Sequence, residues 1–289
     1  MRAPSTAGAK SVVVTGSFDN LRSAHVRFLE EAARLGDLHV LLWSDDVAHS
    51  REGRAPRFPF AERRYLVEAL RYVHRVWALE GDLETDALPE LAGLAPDLWV
   101  VDEVDDIVAL AGGPLLALPA GFAARGLAYH IVSRAVQGGF PNLPAAEQEP
   151  ASGRKKVIVT GCYDWLHSGH VRFFEKVSEI GDLYVVVGHD ANVRLLKGEG
   201  HPMQTADERR YMVHAIRYVK QGLVSSGHGW MDAEPEIDRI RPDYYVVNED
   251  GDKPEKREFC ARHGLEYVVL KRTPKEGLTP RTSSDLRGY

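Results

Sequence analysis

The chain alternates short β-branched apolar runs with amphipathic stretches, most regularly in its second half. The apolar runs predict strands, and the stretches with helical spacing predict helices. Strict alternation of the two is typical of βαβ units, so we predict an α/β fold with a parallel, doubly wound sheet and helices on both faces. The predicted strands are 157–160, 183–188, 221–224, 244–248 and 266–270, and the predicted helices are 168–180, 206–218, 234–240 and 254–263.

The same pattern occurs twice. VVVTGSFD at 12–19 matches VIVTGCYD at 157–164, and HVRFLEEAARLGDLHVLL at 25–42 matches HVRFFEKVSEIGDLYVVV at 170–187. A repeat at this distance is too long for a solenoid and indicates the duplication of a whole domain. We predict a first domain at 1–141, a linker rich in Pro, Ala and Glu at 142–154, and a second domain at 155–289.

Composition and charge argue against several classes of protein. The apolar share of 44% and the charged share of 27% argue against a disordered or membrane-inserted chain. The net charge of −6 and the pI near 6.1 argue against nucleic acid as a partner. Two cysteines, Cys162 and Cys260, are too few for a disulfide framework, so a cytoplasmic location is expected.

A candidate anion site follows the first strand of the second copy, at 161–170 (GCYDWLHSGH). Gly161 and Gly169 lack a Cβ and allow close approach of a ligand, and unpaired N–H groups at a helix start attract anions. His167 and His170 are three residues apart and face the same side of the helix. The alternatives are a helix-capping pair or a stray metal pair, but further ligands at suitable spacing are lacking, so no protein-bound metal is predicted.

Two further segments carry cationic and hydroxyl groups. Lys197, in the Gly-flanked loop LKGEGHP at 196–202, and Arg209, at a helix start, can hold a triphosphate. Near the C-terminus, Arg272-Thr273 and RTSSDL at 281–286 supply Arg281, Thr282 and Ser283, whose hydroxyls suit either phosphates or an ordinary N-cap. Surface loops and helices often contain such residues, so each segment is weak alone and gains weight beside the histidine pair.

These segments together resemble the motifs of the cytidylyltransferase-like nucleotidyltransferase superfamily. TGCYDWLHSGH resembles its HxGH motif, LKGEGHP followed by ERR resembles its K-G-x-x-x-P…E-R stretch, and RT…G…RTSS resembles its C-terminal signature, interrupted here by extra residues 274–276. The resemblance covers 156–289 and, in degraded form, 11–135. It implies two tandem Rossmann-like domains and transfer of a nucleotidyl group to a phosphomonoester with release of pyrophosphate.

The resemblance also implies roles for individual residues. His167, His170 and Lys197 are expected to act on the reacting phosphates. Mg²⁺ is expected to bind through the nucleotide phosphates. The expected nucleotide-binding residues are Thr160, Gly161, Cys162, Tyr163, Asp164, Gly169, Arg209, Asn248, Asp250, Arg281, Thr282 and Ser283. For Asp164 a buried turn-capping carboxylate is an equal alternative, and for the loop 248–252 so is a solvated acidic loop.

The expected donor is CTP. GCYD and VGHDANV look closest to the ethanolamine-phosphate and glycerol-3-phosphate cytidylyltransferases, the former of which are also tandem duplications. LLKGEGHP is also similar to an adenylyltransferase domain, so ATP with a sugar phosphate or similar acceptor is the alternative. The expected acceptor is a small phosphomonoester or phosphonate. A nucleotide-binding sensor without turnover is the alternative from another class.

The first copy departs from these motifs. Arg22 stands where the second copy has His167, Ala24 replaces Gly169, and alignment on the following proline matches Arg51 to Lys197. We therefore predict that this copy is inactive, or else that it binds a different, regulatory anion. It is expected to act as an intramolecular pseudo-dimer partner, which leaves further homodimerisation open.

Overall fold

The computed structural model describes residues 8–81, 93–102, 128–132, 140, 152–282 and 286. The chain divides into two compact units, Met1–Gln137 and Gly138–Tyr289. The division lies just before the predicted linker 142–154, of which only residues 152–154 are described. Within the described ranges, every helix is too short or too polar to span a bilayer.

The first unit contains a parallel sheet of five strands among its described residues. Its elements are β1 (Ser11–Gly16), α1 (Ser23–Ala33), β2 (Asp37–Trp43), α2 (Asp45–Glu52), α3 (Phe60–Glu68), β3 (Arg75–Leu79), β4 (Leu98–Asp102) and β5 (Ala128–Val132). The strand order is β3-β2-β1-β4-β5. Val13, Leu41, Leu79 and Trp99 form a buried cluster in this unit.

The second unit repeats this topology, with the strand order β10-β9-β6-β7-β8. Its elements are β6 (Lys156–Gly161), α4 (Ser168–Ile180), β7 (Asp182–Val187), α5 (Asp190–Lys197), α6 (Ala206–His214), β8 (Val219–Val224), α7 (Glu234–Ile240), β9 (Tyr244–Asn248), α8 (Pro254–His263) and β10 (Glu266–Leu270). Short 3₁₀ turns lie at Gly229–Met231 and Glu249–Gly251. The predicted α/β fold of two doubly wound parallel sheets is confirmed.

A crevice opens between β6 and β9, where the strand order of the sheet reverses. Strands β6 and β7 pair over their full length, from Lys156↔Asp182 to Gly161↔Val187. By contrast, β6 and β9 pair only at Val157↔Tyr244 and Ile158↔Tyr245 and then diverge. Ligands of doubly wound sheets bind at such a switch point, beyond the carboxyl ends of the strands.

Three element boundaries differ from the sequence-based expectation. The segment expected as a loop around Lys197 contains α5, which ends at Lys197 because Gly198 turns the chain at φ 87°. Helix α6 ends at His214, not 218, and β8 begins at Val219, not 221. The polar residues at the start of β8 obscured its strand pattern, although Gln221 is 1% exposed.

Candidate active site

A pocket occupies the crevice between the carboxyl ends of β6 and β9. Its wall is built by the turn after β6, the start of α4, the end of α5 and the segment after β9. The predicted site residues on this wall are Thr160, Gly161, Cys162, Tyr163, Asp164, Gly169, His170, Lys197, Asn248 and Asp250. Segments far apart in sequence therefore meet at one edge of the sheet.

The two histidines stack at the start of α4. Their ring centroids are 3.9 Å apart, at an interplanar angle of 26°. His167 is the N-cap of α4, and its Nδ1 accepts a hydrogen bond from the backbone N–H of Gly169 at 3.1 Å. Because Nδ1 accepts this bond it carries no proton, and the cap of α4 therefore occupies this nitrogen of the ring.

Positive charge surrounds His170. Burial holds the pKa of His170 well below its usual 6.5, and the charges of His167, Arg272 and Lys197 act in the same direction. Arg272 and Lys197 both line the pocket. A site that disfavours a further positive charge in this way is suited to an anion.

Tyr163 packs against His170 of the histidine pair. Its backbone adopts φ 51°, and its ring makes an edge contact with His170 at 5.1 Å and packs beside Phe174 at 5.2 Å. A Cβ added to Gly161 would lie 2.9 Å from this ring. Gly161 is therefore required for the packing of Tyr163, and not only for the approach of a ligand.

The third motif lies against the first. The carbonyl oxygen of Arg281 accepts a hydrogen bond from Nη2 of Arg272 at 2.8 Å, and a Cβ added to Gly169 would lie 3.0 Å from that oxygen. Thr282 follows directly, whereas Ser283 lies outside the described residues. The C-terminal segment thus passes close to the start of α4, where the histidines are.

The structure favours the second of the two roles expected for Asp164, that of a buried carboxylate that holds a turn. Its Oδ1 accepts hydrogen bonds from the backbone N–H groups of Met203 and Gln204, and its Oδ2 contacts Nδ1 of His201 at 3.2 Å. The carboxylate is thus engaged by the loop that follows α5. Direct nucleotide binding by Asp164 is not supported; the side chain holds the loop over the pocket.

The prediction for Arg209 as a nucleotide contact is wrong. Its side chain is 0% exposed and is not on the pocket wall. The guanidinium donates hydrogen bonds, at 2.7–3.0 Å, to the carbonyl oxygens of Gln204, Cys162 and Gly188 and to the carboxylate of Asp190. Arg209 therefore ties the loops after β6, β7 and α5 together beneath the site.

Cys162 contributes a neutral wall to the pocket. Burial raises the pKa of its thiol, and the charges of Lys197 and Arg209 only partly oppose this effect. A thiol with a raised pKa is a poor nucleophile at neutral pH. Nucleophilic catalysis by Cys162 is therefore not supported.

The family model described as cytidylyltransferase-like matches residues 13–105 and 158–284, more than half of the chain. The chain belongs to this family. Both units are covered, so the duplication read from the sequence is a duplication of the cytidylyltransferase-like domain. The expected resemblance to the superfamily is confirmed.

Curated relatives match parts of the chain. An FAD synthase of Thermococcus kodakarensis is 35% identical over 123 residues, 41% of this chain and 80% of that protein. The bifunctional protein HldE of Azotobacter vinelandii is 36% identical over 133 residues, 44% of this chain but only 27% of its own length. A solved lipopolysaccharide core biosynthesis protein from Thermoplasma volcanium is 23% identical and aligns with 42% of this chain and 99% of its own, at a TM-score of 0.37.

The two cytidylyltransferase-like units share one scaffold. In the first unit Asp19 accepts from the backbone N–H groups of Arg57 and Phe58, as Asp164 does from the corresponding loop. Arg63 is 0% exposed and bonds the carbonyl of Trp43 and the carboxylate of Asp45, as Arg209 does with its own partners. These pairs are retained in the unit that lacks His167, which marks them as structural.

The position of Lys197, at the end of α5, carries a different residue in the first unit. Helices α2 and α5 each have eight residues, begin with an aspartate and are followed by a glycine C-cap, Gly53 or Gly198. Glu52 therefore occupies the place of Lys197, and the predicted match of Lys197 with Arg51 is wrong. The Glu52 carboxylate accepts a hydrogen bond from Ser17 Oγ. A negative charge stands where the second unit presents an ammonium group.

Sequence reasoning left several wall residues without a role. They are Phe173, His201, Met203, Val246, Val247, Lys256 and Arg272. Arg272 had a usable signal, since it belongs to the third motif. Lys256 had none, because a lysine in the first turn of a polar helix is indistinguishable from a solvated one without the tertiary fold.

Proposed function

We propose that the second unit transfers a nucleotidyl group from a nucleoside triphosphate to a phosphorylated acceptor and releases pyrophosphate. The observation that supports this most directly is that His170, whose ring stacks on that of His167, lines the switch-point pocket together with Lys197 and Arg272. A cationic, partly buried cradle of this kind can neutralise charge that develops on phosphate oxygens. A sensor would need affinity but not donors aimed at the reacting phosphates.

The acceptor phosphate supplies the nucleophile. Its second pKa is about 6, so it is largely dianionic at neutral pH and needs no general base. An acceptor oxygen forms a bond to the α-phosphorus while the bond from that phosphorus to the bridging oxygen breaks, and pyrophosphate leaves with the electron pair. In this proposal His167 and His170 donate to the α- and β-phosphate oxygens, and Lys197 holds the α-phosphate and the acceptor in line.

The C-terminal segment would hold the leaving pyrophosphate. Arg281 and Thr282 lie beside the start of α4, where Arg272 donates a hydrogen bond to the carbonyl oxygen of Arg281. Ser283 is assigned the same role from the motif alone. Such contacts stabilise the charge that accumulates on the departing group.

Magnesium is proposed to enter with the substrate. Among the described residues no group of three His, Cys, Asp or Glu side chains could hold a metal ion. The pocket carboxylates Asp164 and Asp250 are engaged by loop amides and by Arg272, respectively. Mg²⁺ prefers phosphate oxygens and water as ligands, so it would bind to the triphosphate.

The donor nucleotide has two candidates. Similarity to an FAD synthase over 80% of that protein favours ATP, because FAD consists of FMN joined to an adenylyl group. The segments GCYD and VGHDANV favour CTP, because they resemble segments of cytidylyltransferases. We propose ATP as the first donor to test and CTP as the second.

A pyrophosphate-release screen tests the function. The full chain with Mg²⁺ is assayed with ATP or CTP against FMN, glycerol phosphate, amino-alcohol phosphates, sugar phosphates and phosphonates. Release of pyrophosphate that depends on one acceptor is expected, and the product is identified by mass. Tight nucleotide binding with no turnover on any acceptor would instead support the sensor.

We also propose that the first unit is inactive. Glu52, which pairs with Arg54 at 3.1 Å, lacks the ammonium group that Lys197 offers to a triphosphate. Equilibrium dialysis should therefore find one nucleotide per chain, and Lys197→Glu, which copies the first unit's residue, should weaken binding by about tenfold or more. Glu52→Ala is the matched control and should leave the site in the second unit unchanged. Two equivalent sites per chain would contradict the proposal.

A further inference from the structure

Lys256 reaches the candidate active site from the opposite strand. It lies in the first turn of α8 and lines the pocket on the β9 side, together with Val246, Val247 and Gly251. Its Nζ is 6.0 Å from the ring centroid of Tyr245 and donates a hydrogen bond to the carbonyl oxygen of Gly251 at 3.1 Å. The ammonium group is therefore held at the pocket wall.

The neighbouring carboxylates are already paired. Asp250 accepts from Arg272 at 2.6 Å, and Asp252 forms a two-pronged ion pair with Arg257 at 2.5 and 3.0 Å. Across the described ranges Lys256 has no ion pair. An ammonium group has three donors, and the carbonyl of Gly251 uses one of them.

This half-buried ammonium group is short of acceptors. Burial lowers the pKa of Lys256, and the charge of Lys253 acts in the same direction. Incomplete hydrogen bonding of a partly desolvated polar group costs free energy. A ligand atom that accepts a hydrogen bond at this point of the pocket would recover that cost.

The surroundings of Lys256 differ from those of the phosphate cradle. The cradle combines two imidazoles, Lys197 and the start of α4. Around Lys256 the wall is made of Val246, Val247, Asn248, Asp250 and the backbone of Gly251, which present apolar surface, peptide edges and two polar side chains. Such a wall suits a flat, weakly polar group with a hydrogen-bonding edge, as a nucleobase has.

We propose that Lys256 is a specificity-determining residue that donates a hydrogen bond to an acceptor atom of the nucleobase. The inference rests on the proposed function, because it requires a nucleoside triphosphate in the pocket. It divides the pocket into a phosphate end at α4 and α5 and a base end at β9 and α8.

Binding of two probes tests this division. The full chain is titrated calorimetrically with ATP, with CTP and with inorganic tripolyphosphate, which has no nucleoside. Lys256→Met should weaken the better-bound nucleotide by about 10-fold to 100-fold, the worth of a hydrogen bond to a charged group. The affinity of the Lys256→Met variant for tripolyphosphate should stay within about twofold of the wild-type value. His170→Ala should weaken both kinds of probe.

Lys253→Met is the matched control, since Lys253 lies three residues earlier, is exposed and is not on the pocket wall. It should leave all three affinities unchanged, and thermal unfolding checks that both variants are folded. Equal weakening of tripolyphosphate by Lys256→Met, equal weakening of ATP and CTP, or no weakening at all would overturn the assignment. If the wild-type chain binds neither nucleotide nor tripolyphosphate, the proposed function fails first.

Discussion

His170→Ala is expected to lower turnover by at least about 10²–10³, because a positioned donor to the reacting phosphates contributes about 3–4 kcal/mol to transition-state stabilisation. The side chain packs against His167 and Tyr163 at the pocket wall, so the substitution removes a donor that these contacts hold in place. Steady-state kinetics with the donor and acceptor from the screen measure the loss. His167→Ala should show a similar loss together with about 1 kcal/mol of lost stability, since His167 also caps α4.

The first unit provides the control for this experiment. His25 occupies the position of His170, and its Nδ1 accepts a hydrogen bond from the backbone N–H of Arg22 at 3.1 Å. His25→Ala should leave turnover unchanged. A comparable loss in that variant would show that the first unit takes part in the reaction, and unchanged turnover in His170→Ala would reject the assigned role.

Arg209→Met should destabilise the second unit by about 3–5 kcal/mol. The substitution leaves the buried carbonyl oxygens of Gln204, Cys162 and Gly188 without their donor and Asp190 without its partner. Unfolding of a chain with two units need not be a single transition. Hydrogen exchange of the β7 amides during urea titration therefore reports the second unit specifically.

Arg64→Met is the control for stability and is followed through the β2 amides, because Arg64 lies in the first unit. Arg64 is half-exposed and pairs with Glu68 one helical turn away at 2.8 Å. Exposed pairs of this kind contribute little, so a change within about 0.5 kcal/mol is expected. If Arg209→Met kept its stability and lost nucleotide affinity instead, the original assignment of Arg209 as a nucleotide contact would stand.

The duplication separates scaffold from chemistry within one chain. The buried Asp–loop and Arg–carbonyl contacts occur in both units, around Asp19 and Arg63 in the first and Asp164 and Arg209 in the second. The pocket lysine does not recur, since Glu52 replaces Lys197, whereas His25 keeps the place of His170. A motif arginine that is strongly bonded in both units is thus explained by the fold alone.

The sequence by itself determined the duplication, the alternation of strands and helices, and the location of the histidine pair after β6. These features depend on local periodicity and short-range spacing, which neighbouring residues carry. Strands β9 and β10 and helices α4, α7 and α8 accordingly have the predicted bounds. The start of β8 was predicted two residues late, at Gln221, because the polar, partly buried Lys220 reads as a surface residue.

Only the tertiary structure decided what the charged side chains do. Arg209 and Asp164 carry motif positions that suggest ligand contacts, yet their partners come from loops tens of residues away in sequence. The equivalence of Glu52 with Lys197 and the place of Lys256 on the pocket wall likewise depend on how helices end and pack. A side chain's role follows from which acceptors and donors surround it, and the fold brings those together from segments that no local pattern connects.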